Sequence, residues 1–252
     1  MSLPVHLVPS LAGVGEGAEV TVDGDEAHHA VAVRRLRVGE QVVLTDGAGV
    51  SVQGAVGSTG KRVFTLTVES VSAAEPSSPE IVVVQAIPKG ERGELAVEVL
   101  TEIGVARIVP WAAARSVAVW KGERATKSLT KWRATAREAA KQARRSWFPE
   151  VSELAATADV VTLVSGADLA VVLHEAATTP FAGVAVPASG RIVVVVGPEG
   201  GLSDEEVAAF VAAGAVSVRL GAEVLRTSTA GVAAVAAILS RTARWGVRSD
   251  HV

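Results

Sequence analysis

The residues best suited to chemistry stand in two loops toward the C-terminal end of the chain. The first, Gly197-Pro198-Glu199-Gly200-Gly201, follows the apolar run Val193-Val194-Val195-Val196 and leads into Leu202-Ser203-Asp204-Glu205-Glu206. β-Branched runs favour buried parallel strands, and glycines let a backbone approach a bound molecule because no Cβ intervenes. Ser203 fits a helix N-cap and Glu206 stands three residues on, the spacing of a capping box. Strand, glycine-rich corner and capped helix make a rigid turn at a strand's carboxyl end, where open α/β sheets hold their ligands. The second loop, Leu220-Gly221-Ala222-Glu223-Val224-Leu225-Arg226-Thr227-Ser228-Thr229, lies between a predicted strand and an Ala-rich helix. Two such loops can clamp one ligand between them. Arg226 adds a planar, permanently charged hydrogen-bond donor.

These loops need a sheet to hold them. Beyond residue 79, strands predicted over 81–87, 106–110, 170–173, 192–196 and 216–220 are interleaved with helices over 91–103, 123–145, 203–213 and 227–242. That alternation is the pattern of a parallel α/β sheet with helices on its faces. Before residue 73 the pattern is mostly β, with strands over 42–44, 50–56 and 63–71, a hairpin signal at Asp46-Gly47 and a short helix over 28–36. A small β-barrel fits it. The Pro-bearing stretch Ala73-Ala74-Glu75-Pro76-Ser77-Ser78-Pro79 marks the boundary and predicts domains over 1–74 and 75–252. The 123–145 helix carries an apolar stripe of Leu129, Trp132, Ala136, Ala139 and Ala143 and a basic one of Arg133, Arg137, Lys141 and Arg144. One face packs, and the other meets water or phosphate. Residues 230–239 are small and apolar all round, which demands burial on nearly every side; a second subunit is a natural way to supply it.

The 252 residues are ample for a buried core, and 49% are hydrophobic, chiefly Ala and Val. With 0 cysteines the chain has no disulfide, no thiolate metal site and no Cys nucleophile. His28-His29 lacks further ligands at metal spacing, so no metal is expected. No cationic segment precedes an apolar one over 1–10, and the apolar run at 230–239 is short of the ~20 residues a bilayer requires. The expectation is a cytoplasmic protein without a membrane span. The net charge of −3 argues against indiscriminate binding to a polyanion, yet Lys and Arg crowd residues 121–145 with only Glu123 and Glu138 opposing them.

The two loops together resemble the paired cofactor loops of the RsmE family, SPOUT-class methyltransferases of small-subunit (16S) ribosomal RNA. Further segments agree in order along the chain: His28-His29-Ala30-Val31-Ala32-Val33-Arg34-Arg35-Leu36-Arg37-Val38-Gly39-Glu40, Lys89-Gly90-Glu91-Arg92, Glu102-Ile103-Gly104-Val105, and Trp132 with Ala139-Ala140-Lys141-Gln142-Ala143-Arg144. The resemblance implies S-adenosyl-L-methionine as cofactor, methylation of a uridine N3, a PUA-like N-terminal RNA-binding domain, a trefoil-knotted C-terminal domain and a homodimer through that domain. It places the cofactor on Val196, Gly197, Pro198, Glu199, Gly200, Gly201, Leu220, Gly221, Leu225, Thr227, Ser228 and Thr229, with Leu173, His174 and Glu175 as a further wall. Arg226 is then the catalytic donor, or else an internal anchor that binds Glu199 or a carbonyl and shapes the loop. Ribosomal RNA or the small subunit is the expected partner, met by Arg34, Arg35, Arg37, Lys89, Arg92, Arg137, Lys141 and Arg144, which attract phosphate without reading sequence. Family members commonly read Leu-Arg-Thr-Glu-Thr, where this chain has Leu225-Arg226-Thr227-Ser228-Thr229, and often Arg where it has Glu223. Two alternatives stay open on these residues: another RNA target, or an RNA-binding assembly factor that keeps the fold without the chemistry.

Overall fold

The computed structural model describes residues 3–246. The chain forms two compact units: one runs up to Pro76 and takes back Ala140–Phe148, the other holds Ser77–Ala139 and the chain from Pro149. The units are therefore not two consecutive segments divided at 74/75. The return segment belongs to the first unit because its backbone bonds there: Phe148 N donates to Gly47 O at 2.8 Å, Gly49 N donates to Ser146 O at 2.9 Å, and Trp147 Nε1 donates to Ala74 O at 2.7 Å.

In the first unit the strands β1 (Val5–Leu7), β2 (Glu19–Asp23), β3 (Gln41–Thr45), β4 (Val50–Thr59) and β5 (Val63–Ala73) form one sheet in the order β1-β3-β4-β5-β2. Its core is built on Leu11, Val42, Leu44, Phe64 and Leu66. Gly54 sits at a bulge where a Cβ would stand 1.9 Å from Thr67 O, so glycine alone fits the close pairing with β5. The helix predicted over 28–36 instead starts with α1 (Gly24–His28) and continues as a π-turn, His29–Val33. It stops there because Arg35 takes a left-handed φ of 58° and Leu36 N folds back to Ala30 O at 3.1 Å.

The second unit carries a six-stranded sheet, ordered β11-β9-β10-β6-β7-β8 and parallel throughout. Its strands are β6 (Glu80–Ala86), β7 (Arg107–Trp111), β8 (Glu150–Val151), β9 (Leu169–Leu173), β10 (Arg191–Val196) and β11 (Val216–Val218). Alternate residues of each buried strand feed two cores. Ile81, Val83, Ile192 and Val194 face α2 (Arg92–Glu102), α3 (Glu123–Gln142) and α6 (Thr227–Leu239); Val82, Val84, Val193 and Val195 face α4 (Thr157–Ser165) and α5 (Asp204–Ala212). Burying each such Val or Ile contributes about 1.5–3 kcal/mol, which is why these runs form the middle of the sheet.

The stripe read in α3 is buried at Leu129, Trp132, Ala136 and Ala139. Trp132 meets Trp120 edge-on at 5.0 Å and closes over Gly93 of α2. The helix ends at Gln142, short of the predicted 145, because Arg144 adopts φ 53° at the position glycine usually fills. Arg145 N then bonds Ala140 O at 3.0 Å and Arg144 N bonds Lys141 O at 3.1 Å, closing a Schellman motif. β8 and α4 carry no clear sequence signal: the first is a two-residue strand, and the Val-rich second lacks a helical charge pattern. Among the described residues no helix is long and apolar enough to cross a membrane.

Candidate active site

Because β10 lies between β9 and β6, the carboxyl ends of β10, β9 and β11 open side by side and their loops converge. They surround a cleft of about 580 Å3 lined by Leu173, His174 and Glu175 at the end of β9, by 196–202 and Asp204 at the end of β10, and by Arg219, Leu220 and 223–227 after β11. The glycine-rich corner is held as its sequence predicts. Ser203 Oγ accepts the Glu206 N–H at 3.2 Å and Glu206 Oε2 accepts the Ser203 N–H at 2.9 Å, a complete capping box.

Gly200 has a different reason from the one expected of it. A Cβ there would stand 2.7 Å from Arg115 O and 3.1 Å from Arg115 Cβ, so the glycine admits the protein's own 112–116 loop rather than only a ligand. Glu199 is engaged too, though not by Arg226: its Oε1 accepts the Lys89 N–H at 3.2 Å and lies 3.8 Å from Arg92 Nη1. The role of Arg226 as an anchor for Glu199 is therefore set aside. The Arg226 side chain lines the cleft exposed and in no ion pair among the described residues, while its backbone opens α6, its carbonyl accepting the N–H groups of Thr229 and Ala230 at 2.9 Å each.

Helix geometry decides which second-loop residues reach the cleft. Thr227 and Ala230, one turn apart on α6, line it; Ser228 and Thr229 do not. Ser228 is 3% exposed and turned into the protein, and Thr229 Oγ1 donates to Arg226 O at 3.3 Å. Gly221, with φ 85°, serves the turn and also stays off the cleft wall. Those three residues are not part of the cleft lining, and Ser228, where family members commonly carry Glu, is a buried helix position.

Among the cations assigned to RNA, Arg34, Arg35 and Arg37 are exposed together in the first unit, just beyond the π-turn. Lys89 and Arg92 stand beside Glu199, and Arg92 belongs to the cleft wall. Arg137 pairs with its neighbour Glu138 at 3.3 Å, and Arg144 is exposed at the Schellman turn. The Lys141 side chain, 11% exposed, holds Glu26 at 3.1 Å within the first unit. Sequence reasoning missed Arg115 and Arg219 on the cleft. Arg219 stands one residue before the second loop, a near miss; Arg115 arrives from β7 through an Ala-rich stretch without any motif, so only the sheet order reveals it.

A family model described as an RNA methyltransferase domain matches residues 75–239, and one described as an RNA methyltransferase PUA domain matches residues 22–69. The chain is 45% identical over 234 residues to the ribosomal RNA small subunit methyltransferase E of Mycobacterium bovis, covering 91% of this chain and 89% of that protein. Against the protein of the same name from Bacillus subtilis it is 28% identical over 237 residues, covering 91% and 93%. A crystal structure of ribosomal RNA small subunit methyltransferase E from Neisseria gonorrhoeae, bound to S-adenosyl methionine, matches with a TM-score of 0.84 at 26% identity, over 96% of this chain and 98% of that one. With its cleft at the carboxyl ends of a parallel sheet, its paired loops and these relatives, the chain belongs to the ribosomal RNA small subunit methyltransferase E family.

Proposed function

We propose that this chain is an S-adenosylmethionine-dependent methyltransferase that modifies N3 of a uridine in 16S ribosomal RNA. The observation that carries the reading is the convergence of three strand-end loops on one cleft with Arg226, in no ion pair among the described residues, in its wall. The cleft fits the cofactor: about 580 Å3 lies within the range of small-molecule sites, Leu173, Val196, Leu220, Leu225 and Ala230 offer an apolar bed for a heterocycle, and the 197–201 backbone offers hydrogen bonds. When bound, S-adenosylmethionine supplies an electrophilic methyl group on a sulfonium centre.

The protein's share of the chemistry is to hold the uridine N3 in line with that methyl group, and positioning of this kind supplies much of the acceleration. Loss of the N3 proton to water leaves negative charge spread over N3 and the flanking carbonyl oxygens of the base, and that charge is discharged when N3 takes the methyl group. Arg226 donates hydrogen bonds to that charge, where a fixed donor is worth most. In the same reading the first unit, up to Pro76, binds RNA with Arg34, Arg35 and Arg37, and the 75–239 region binds cofactor and forms the homodimer. The C-terminal segment is threaded as a trefoil knot, consistent with β10 entering between β6 and β9. An RNA substrate of this kind places the protein in the cytoplasm.

Calorimetric titration with S-adenosylmethionine and S-adenosylhomocysteine, followed by mapping of transferred label on total RNA, tests the reading. Saturable binding of both and label at a uridine N3 of 16S ribosomal RNA are expected; label confined to transfer RNA overturns the target, and no label in any RNA overturns the activity. Arg226→Ala is expected to lower kcat about 10²-fold with cofactor affinity little changed. Equal loss of affinity would move Arg226 from the reaction to cofactor binding.

A further inference from the structure

The loop that follows β7 meets the glycine-rich loop at three points. Glu206, 4% exposed, places Oε1 on the Ala114 N–H at 2.7 Å while its Oε2 holds the Ser203 N–H at 2.9 Å. Arg115 Nη1 donates to Leu202 O at 3.0 Å. Gly200 leaves room for the Arg115 carbonyl, which a Cβ would approach to 2.7 Å. β7 and β10 are not neighbours: β6 lies between them, so these contacts pass over the end of β6 and join loops the sheet itself does not join.

Burying a polar group is costly unless it is hydrogen-bonded, and both Glu206 oxygens are, one to each loop, so Glu206 fixes the spacing of the two loops. The capping box would need one of those oxygens; the other is free to reach Ala114. Arg115 lines the cleft beside Gly200 and Leu202, and its guanidinium has five N–H donors, of which the Leu202 carbonyl takes one.

The geometry assigns Arg115 and Glu206 as positioning residues for S-adenosylmethionine binding: together they latch the 112–116 loop onto the 197–203 loop and set the shape of the cleft wall that receives the ligand. This rests on the cofactor reading of the cleft. It also explains why a residue from the loop after β7, outside both motif loops, belongs to the site.

The test is calorimetric titration of the full chain with S-adenosylmethionine in the wild type, Arg115→Ala, Arg115→Lys, Glu206→Gln and the double variant Arg115→Ala/Glu206→Gln, with melting temperatures alongside. Arg115→Ala and Glu206→Gln are each expected to weaken binding by about 10-fold, Arg115→Lys to recover part of the loss, and the double variant to bind no worse than the weaker single one, since both act on one latch. In turnover, Arg115→Ala is expected to raise KM for S-adenosylmethionine with kcat retained at saturation. Affinity within twofold of wild type in Arg115→Ala, with or without a lower melting temperature, or additive losses in the double variant, would overturn the assignment. Failure of the wild type to bind S-adenosylmethionine is a separate result, seen before any variant is made, and overturns the cofactor reading itself.

Discussion

At the residue scale, Gly200 joins sequence and site most directly. Its neighbours Gly197 and Gly201 are equally legible as turn glycines, but at Gly200 a Cβ would stand 2.7 Å from a backbone oxygen of the 112–116 loop, and backbone cannot rotate away as a side chain can. Gly200→Ala is therefore expected to push the two loops apart, weakening S-adenosylmethionine binding and lowering the melting temperature by a few degrees, on the order of 1–2 kcal/mol for a local overpacking. Titration and a thermal melt check both, and unchanged values would mean that the 112–116 loop yields at no cost. The residue type was legible in the sequence; its contact was not, because the group it accommodates lies 85 positions upstream in a stretch without a motif.

At the element scale, the last turn of α3 shows how a periodic pattern is read correctly in part. The buried stripe through Leu129, Trp132 and Ala136 follows from spacing alone. The opposite stripe reads as uniformly basic, yet Arg133 binds Val151 O and Glu153, and Lys141 turns to Glu26. Glu26 also meets His6 Nδ1 at 3.1 Å. Burial by itself pushes the Glu26 carboxyl up, but hydrogen bonds from His6 and Lys141 and their charges outweigh it and hold the group at about 2, against 4.5 for a free glutamate. A pKa lowered by folding stabilises above the unfolded value and ceases to do so as pH falls through the folded one. The network's contribution, on the order of 2–3 kcal/mol, is thus complete above about pH 4.5 and is lost progressively toward about pH 2. Glu26→Gln is expected to be destabilised at neutral pH and to converge on the wild type as pH drops through that window. Denaturant unfolding at several pH values measures this, and a constant gap between the two proteins would exclude the carboxylate's role.

At the scale of the whole molecule, α6 raises the question of what covers its outer side. Gly231, Ala234, Val235, Ile238 and Leu239 are buried against the sheet and α2, whereas Ala233 and Ala236 stay partly exposed and off the core. In the proposed homodimer that small-residue side meets the second subunit. Ala233→Arg is expected to give a monomer in sedimentation velocity at micromolar concentration, and an unchanged dimer would place the interface elsewhere. The sequence by itself determined the parallel α/β class, the glycine-rich corner, the capped helix after it and the place of Arg226, because hydrophobic period, capping and turn chemistry are local properties written in consecutive residues. Only the tertiary structure decided that β10 enters between β9 and β6, that Arg115 joins the cleft, that Ser228 turns inward and that Lys141 is taken by Glu26. Those outcomes depend on which distant segments become neighbours, and that is set by how the apolar faces are buried together, which no local pattern records.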